Sequence, residues 1–313
     1  MDPLRIIAET DGFFTRGQAR DLGYGDREVA AAVRGGSWHR LRRGYYTFVD
    51  LWGALDDIGR HRVMCAAVLH SLGPAVALSH VSAAVIHGIT VWGLALDRVH
   101  VTRLDGGAGR IEAGVAHHEG FGLGPDVVEV DGLRVMAADR AAIEAASRAP
   151  NEAALALFDS ALHLRLFDPG QLASRFSQMQ YWPYVRHLHV PIRMADAGGQ
   201  SVGESRCRWL CWCHRIPAPV LQFEVYDATG VLRGTCDFAW PDHGLLGEFD
   251  GQVKYGRLLQ PGQDAGAVVF AEKQREAELR EITDFRMIRF VWSDYDRPNL
   301  TAQRLRRQLR IAA

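Results

Sequence analysis

Three carboxylates set into two short apolar runs constrain this chain more than any other feature. Cys236-Asp237-Phe238-Ala239-Trp240-Pro241 is followed by Leu245-Leu246-Gly247-Glu248-Phe249-Asp250 and then by Gly251-Gln252-Val253-Lys254-Tyr255. Both runs read as strands. Glu248 and Asp250 stand two apart, so on a strand their side chains leave the same face. A carboxylate in such a setting is costly unless it is paired or holds a cation. Three that converge describe a Mg²⁺ site, with Mn²⁺ as its usual substitute. The cations point to the same place. Of 36 basic residues only Lys254 and Lys273 are lysines, and both fall near these runs. Where nearly every cation is Arg, a Lys suggests that a compact, strongly hydrated ammonium is wanted.

At 313 residues, 48% hydrophobic and 23% charged, the chain has the length for more than one domain with a real core. The start, Met1-Asp2-Pro3-Leu4-Arg5, lacks a basic segment backed by an apolar run, which argues against a secretory signal. The apolar region around Met64 to Ile89 is interrupted by His70, Gly73-Pro74, His80 and Gly88, which argues against a membrane span. The cytoplasm is the expected compartment. Five cysteines are an odd total for a disulfide framework. Cys207-x3-Cys211-x-Cys213-His214 invites a zinc reading, but on a helix 207 and 211 share a face while 213 points elsewhere. Free cysteines on a core helix are the preferred reading.

A net charge of −1 gives no global pull toward nucleic acid, whereas the local distribution does. Arg34, His39, Arg40, Arg42 and Arg43 form a patch with no acid between Gly35 and Gly44. Residues 1–50 read as three short helices and a hairpin: Thr15 caps a helix through Leu22, Asp26 caps one to Arg34, and Trp38 to Phe48 forms two strands. Helix, short turn, helix and basic β-ribbon is the layout of a winged helix-turn-helix. Arg27, Arg34, Arg40, Arg42 and Arg43 are its expected contacts to duplex DNA. The alternative is a small packing domain with a solvated arginine run.

Residues 55–195 read as an α+β middle domain. Helices are predicted over Leu55–Leu72, from the Ser79 cap to His87, over Asp139–Ser147 and over Glu152–Leu164, with another opening at Asp168. Strands are predicted over Arg98–Arg103, Val127–Val130 and Leu133–Met136, the last two joined by Asp131-Gly132. His61, His70, His80, His87, His117 and His118 share no spacing, and each reads as a structural histidine. Residues 200–313 read as α-β-β-β-α-β: a Ser201-capped helix bearing Glu204, strands over Val220–Tyr226, Val231–Trp240 and Leu245–Asp250, a helix over Val269–Ile282, and a strand over Arg286–Trp292. That order describes a mixed sheet flanked by helices. The whole is an α+β multi-domain chain.

Asp237, then Glu248-x-Asp250, in that element order resembles the PD-(D/E)xK nuclease superfamily. Gly247-Glu248-Phe249-Asp250-Gly251, Glu272-Lys273-Gln274-Arg275-Glu276 and Arg289-Phe290-Val291-Trp292 look like a branch related to very-short-patch-repair (Vsr) endonucleases, over roughly residues 200–297. The resemblance implies that Asp237 and Glu248 ligate Mg²⁺, that Glu204 is the acid of the first helix, and that Lys254 or Lys273 serves as the catalytic Lys. Asp250 stands where that Lys is usual. Arg275 is the implied phosphate contact. The alternative reading of the carboxylates is a solvated sheet edge with Asp250-Gly251 as a plain turn.

The first 50 residues, Leu78 to Gly88, Asp131-Gly132-Leu133-Arg134-Val135 and Asp139-Arg140 are similar to the AbiEi antitoxins of type IV toxin–antitoxin systems. This implies a DNA-binding autorepressor with a cognate toxin, or that toxin gene's promoter, as partner. Two functions are therefore expected in competition. One is a Mg²⁺-dependent endonuclease positioned on DNA by the winged helix. The other is an antitoxin-like transcription regulator whose nuclease-like domain is inert.

Overall fold

The computed structural model describes residues 2–120, 126–251 and 265–311, with side chains in the last segment from Lys273 onward. Two compact units divide the chain, Met1–Arg193 and Met194–Ala313. Both are α+β, and no described helix is long and apolar enough to cross a membrane.

The first unit begins with helices Pro3–Asp11, Arg16–Asp21 and Asp26–Arg34 and a small sheet of β1 (Phe14–Thr15), β2 (Trp38–Arg42) and β3 (Tyr45–Phe48) in the order β1-β3-β2. Local chemistry places these helices. Thr15 Oγ1 accepts the Gln18 N–H at 3.1 Å while Gln18 Oε1 accepts the Thr15 N–H at 2.7 Å, a reciprocal cap. Asp26 is not a cap, as the sequence had suggested, but the first helical residue. Glu28 Oε2 instead accepts the Gly25 N–H at 2.6 Å. Leu4, Ala8, Phe14, Ala19, Val29, Trp38 and Tyr46 close a core of their own. Phe14 meets Trp38 edge-on at 4.7 Å, a favoured aromatic geometry. Gly44, at φ +82°, turns the β2–β3 hairpin.

The rest of the first unit is built on a six-stranded mixed sheet. It contains β4 (Val76–Leu78), β5 (Val99–Arg103), β6 (Arg110–Glu112), β7 (Val115–His118), β8 (Val127–Val130) and β9 (Leu133–Met136) in the order β6-β7-β5-β4-β9-β8. β4 runs parallel to β9 and β5 parallel to β7, while the other pairs are antiparallel. Asp131 and Gly132, at φ +51° and +73°, form the expected β8–β9 turn. Helices Asp57–Leu72, His80–Ile86, Ala138–Ala146, Asn151–His163 and Pro169–Met179 accompany the sheet. Strands β4, β6 and β7 have no counterpart in the sequence reading. Such short strands register from the sequence only beside a strong turn signal, as Asp131-Gly132 gives the equally short β8 and β9; β4, β6 and β7 exist because their neighbours pair with them.

The second unit holds β10 (Val220–Tyr226), β11 (Leu232–Trp240), β12 (Leu245–Asp250) and β13 (Arg286–Val291) in sequential order, with β12 and β13 parallel and the other pairs antiparallel. One face packs Phe238, Trp240, Leu245, Phe249 and Phe290 against helices Val202–Cys213 and Pro298–Leu309 through Cys207, Leu210, Cys211 and Leu305. The other packs Val225, Cys236, Ala239 and Leu246 against Leu279 of helix Ala265–Thr283. Cys207 and Cys211 are thus core residues, whereas Cys213 is exposed.

One irregularity organises this sheet. Strict alternation puts Cys236 and Phe238 on the same face, yet they pack on opposite faces. The switch falls at Asp237, opposite Gln222, whose φ is +48°. A non-glycine residue in that region is strained and worth attention.

Candidate functional site

Five arginines distinguish the β2–β3 ribbon and the helix before it. Arg27, Arg34, Arg40 and Arg43 are exposed, and Arg42 is half-buried with its guanidinium 5.9 Å from the Tyr45 ring centre. None of the five forms an ion pair among the described residues. The acids near them are already engaged locally: Asp26 holds Arg16 at 2.5 Å, and Glu28 is committed to the Gly25 N–H. The result is a helix and hairpin carrying unneutralised positive charge, the electrostatic footprint of phosphate binding.

The expected carboxylates each have their own partners near the strand irregularity. Asp237 Oδ2 accepts the Phe249 N–H at 2.7 Å, replacing a backbone acceptor where β11 and β12 part. Glu204, buried on helix Val202–Cys213, accepts from Ser201 Oγ at 2.6 Å, Gln200 N at 3.0 Å and Gln222 Nε2 at 3.1 Å. Burial pushes the Glu204 carboxyl above its ordinary range despite these donors, and the Asp237 charge adds to the rise.

Glu248 and Asp250 do leave the same face, and both meet an arginine there. Glu248 Oε1 accepts from Arg275 Nη2 at 2.6 Å, and its Oε2 lies 3.4 Å from Arg289 Nη2. Asp250 is 3.9 Å from Arg289 Nη1, and Glu276 binds the same guanidinium at 2.9 Å. Arg275, expected to contact phosphate, is thus engaged by Glu248. Lys273 is exposed, and Lys254 lies outside the described residues. Helix Ala265–Thr283 therefore presents a guanidinium to the very carboxylate that the sequence reading offered to a cation.

A cluster absent from the sequence reading lies in the first unit. His80, His100 and His118 come from the start of helix His80–Ile86, from β5 and from β7. On the parallel β5–β7 pair His100 sits opposite Ala116, so His118 is two residues on and faces the same way. His100 Nδ1 lies 2.9 Å from His118 Nε2, and the His80 and His118 rings stack at 3.7 Å with 17° between planes. Burial holds His80 down to about 3, His100 to about 4 and His118 to about 3, with the neighbouring imidazoles adding repulsion. All three are neutral near pH 7.

Beside them Glu144 lies 3.5 Å from His80 Nδ1 and accepts from Arg140 Nε at 2.8 Å. Arg140 in turn binds Asp126 at 2.8 Å. A cavity of about 650 Å³ opens on the three rings and is also lined by Arg110, Glu144 and Arg148. His80 and His118, read from the sequence as scattered structural histidines, are brought together here with His100, which carries no sequence signal. A helix start and two strands supply the rings, and no periodicity links those positions.

Two comparisons place parts of the chain. Residues 1–49 match a family model described as a transcriptional regulator, AbiEi antitoxin. The uncharacterized proteins MT2308 of Mycobacterium tuberculosis strain CDC 1551 / Oshkosh and Rv2248 of strain ATCC 25618 / H37Rv are similar to it. Each is 26% identical over 189 residues, which is 60% of this chain and 66% of the relative's own length.

Proposed function

We propose that this protein is a duplex-DNA-binding transcription regulator of the AbiEi antitoxin kind, reading DNA with helix Asp26–Arg34 and the β2–β3 ribbon. The observation that carries this is the set of five arginines without carboxylate partners among the described residues, lying within the 49 residues that match the regulator family. A helix of this length fits the major groove, and a two-stranded ribbon reaches the flanking backbone. The partners under this reading are duplex DNA, including a promoter, and a cognate toxin. The test uses the full chain, the duplex upstream of its own gene and a scrambled duplex of equal length. Wild type should bind with a steep salt dependence. The Arg40→Ala/Arg42→Ala/Arg43→Ala variant should lose about 0.9 of the log–log slope for each phosphate contact removed, about 2.7 in all. Unchanged affinity and slope in that variant would sink the reading.

A second reading, a Mg²⁺-dependent nuclease of PD-(D/E)xK type in residues 194–313, is supported by the α-β-β-β-α-β order around Glu204, Asp237 and Glu248. The donor set counts against a bound Mg²⁺. Asp237 accepts a backbone N–H, and both oxygens of Glu248 face guanidinium groups. These residues do not fit the ion while Arg275 holds Glu248, so under this reading that arginine must leave first. Incubation of plasmid and RNA with wild type and Asp237→Asn in Mn²⁺ decides the matter. Asp237-dependent cleavage would establish the nuclease, and its absence on both substrates would remove it.

A further inference from the structure

We propose that His80, His100 and His118 form a binding site for a divalent transition-metal ion of the Zn²⁺ class, with one coordination position open to the adjoining cavity. The inference does not rest on the DNA-reading proposal. Ligand-capable atoms of the three imidazoles all lie within 4.8 Å of one another, and among the described residues no other group of three His, Cys, Asp or Glu does so. A tetrahedral ion with Zn–N bonds near 2.0–2.1 Å needs nitrogens roughly 3.3–3.4 Å apart. His100 Nδ1 and His118 Nε2 stand at 2.9 Å, sharing one proton. Shifting that proton to the other nitrogen of its own ring, a tautomer change, and opening the pair by about half an ångström converts a hydrogen bond into two neutral imidazole ligands.

His80 has the hydrogen-bond partners of a metal ligand, and its ring, stacked on His118 at 17°, must rotate to aim at an ion the three share. Its Nδ1 lies 3.0 Å from Ser79 Oγ and 3.5 Å from Glu144 Oε2, which leaves Nε2 as its donor atom. A carboxylate or hydroxyl behind the far ring nitrogen is the usual support of a metal-bound histidine. Glu144 is itself held by the buried Arg140, so that support is rigid. The backbone adds an independent sign. His80 sits at φ +51°, and its N–H donates to Glu144 Oε2 at 3.2 Å. Residues held in that region cost free energy and cluster at functional sites.

Simple ring stacking explains the 3.7 Å contact of His80 and His118. It does not explain the strained backbone, the carboxylate behind the ring or the cavity in front. The ligand type sets the metal class. An all-imidazole set suits Zn²⁺, Cu²⁺, Ni²⁺ or Co²⁺ and not Mg²⁺ or Ca²⁺. Three protein ligands with a fourth position open is the pattern of a reactive site, as opposed to a closed structural one. Arg110 and Arg148 line the same cavity, so the fourth ligand is expected to be water or a small anion.

The test takes full-length protein stripped with a chelator and titrates it with Co²⁺, then displaces the Co²⁺ with Zn²⁺. The expected result is one ion per chain, a visible d–d spectrum of nitrogen and oxygen ligation without a thiolate charge-transfer band, and a rise in Tm. His100→Gln and His118→Gln should each weaken binding by more than the 10–100-fold typical of losing an outer support, and Ser79→Ala by about 10-fold. Cys213→Ser, at the exposed cysteine, should change nothing. A stoichiometry well below one, or a full spectrum persisting in the His100→Gln/His118→Gln double variant, would overturn the proposal. Should the variants not fold, Co²⁺ broadening of wild-type imidazole resonances decides: broadening of these three rings supports the site, and of a different set refutes it.

Discussion

Arginine does opposite work in the two units. On the β2–β3 ribbon Arg40, Arg42 and Arg43 meet no acid among the described residues, whereas in the second unit Arg275 and Arg289 are drawn onto Glu248, Glu276 and Asp250. The difference lies in how far each charge is from its partner along the chain. A hairpin brings together only what is already close in sequence, so an acid-free stretch stays acid-free when folded. Glu248 and Arg275 are 27 residues apart and meet because helix Ala265–Thr283 crosses the sheet. Local charge patterning therefore describes a hairpin well and a sheet–helix interface poorly.

The largest expected effect inverts the two sets. Arg40→Ala/Arg42→Ala/Arg43→Ala should weaken DNA binding steeply while altering stability by less than about 0.5 kcal/mol. Arg275→Ala/Arg289→Ala should do the reverse. Loss of a partner from a buried pair costs about 3–5 kcal/mol, but these side chains are 41% and 30% exposed, so solvent screening reduces the expectation to about 2 kcal/mol. Urea melts and salt-dependent DNA titrations on both variants check this. A second-unit variant that lost DNA affinity without losing stability would erase the distinction and return Arg275 to the phosphate role.

A smaller effect tests whether Arg275 stands in for a cation. Glu248→Gln should destabilise the second unit by about 1–3 kcal/mol, because both guanidinium groups lose their charged acceptor. Arg275→Ala should make the melting temperature more responsive to Mn²⁺ than wild type, since a ligand that binds only the native state stabilises it. An equal response in the two proteins would dissociate Arg275 from any cation site.

A separate effect concerns acid. His80, His100 and His118 are held at about 3, 4 and 3, below their ordinary 6.5, chiefly by burial. In metal-free protein the folded state binds fewer protons than the unfolded chain between about pH 6.5 and pH 3. Stability is therefore full above that window and declines as pH falls through it, by at most about 1.4 kcal/mol per pH unit for each histidine. Hydrogen exchange of helix His80–Ile86 between pH 7.5 and 4.5 measures it, and exchange free energies flat across that range would contradict the burial argument.

Much of the local architecture is legible in the residues. Thr15 with Gln18, Asp131-Gly132 and the Ser201 cap act through neighbours within four positions, so sequence alone determines them. The same holds for the basic ribbon and for the strand–helix order of residues 202–291. Tertiary structure decided the rest. The face switch at Asp237 lies opposite the strained Gln222 across the sheet, and alternation along either strand does not foretell it. Strands as short as Val76–Leu78 exist only because longer neighbours pair with them. The histidine cluster unites positions 80, 100 and 118 through a parallel strand pair and a strained helix start. Periodicity reports which face a residue occupies on its own element, but a site is made where elements meet, and that is set by the packing of the whole chain.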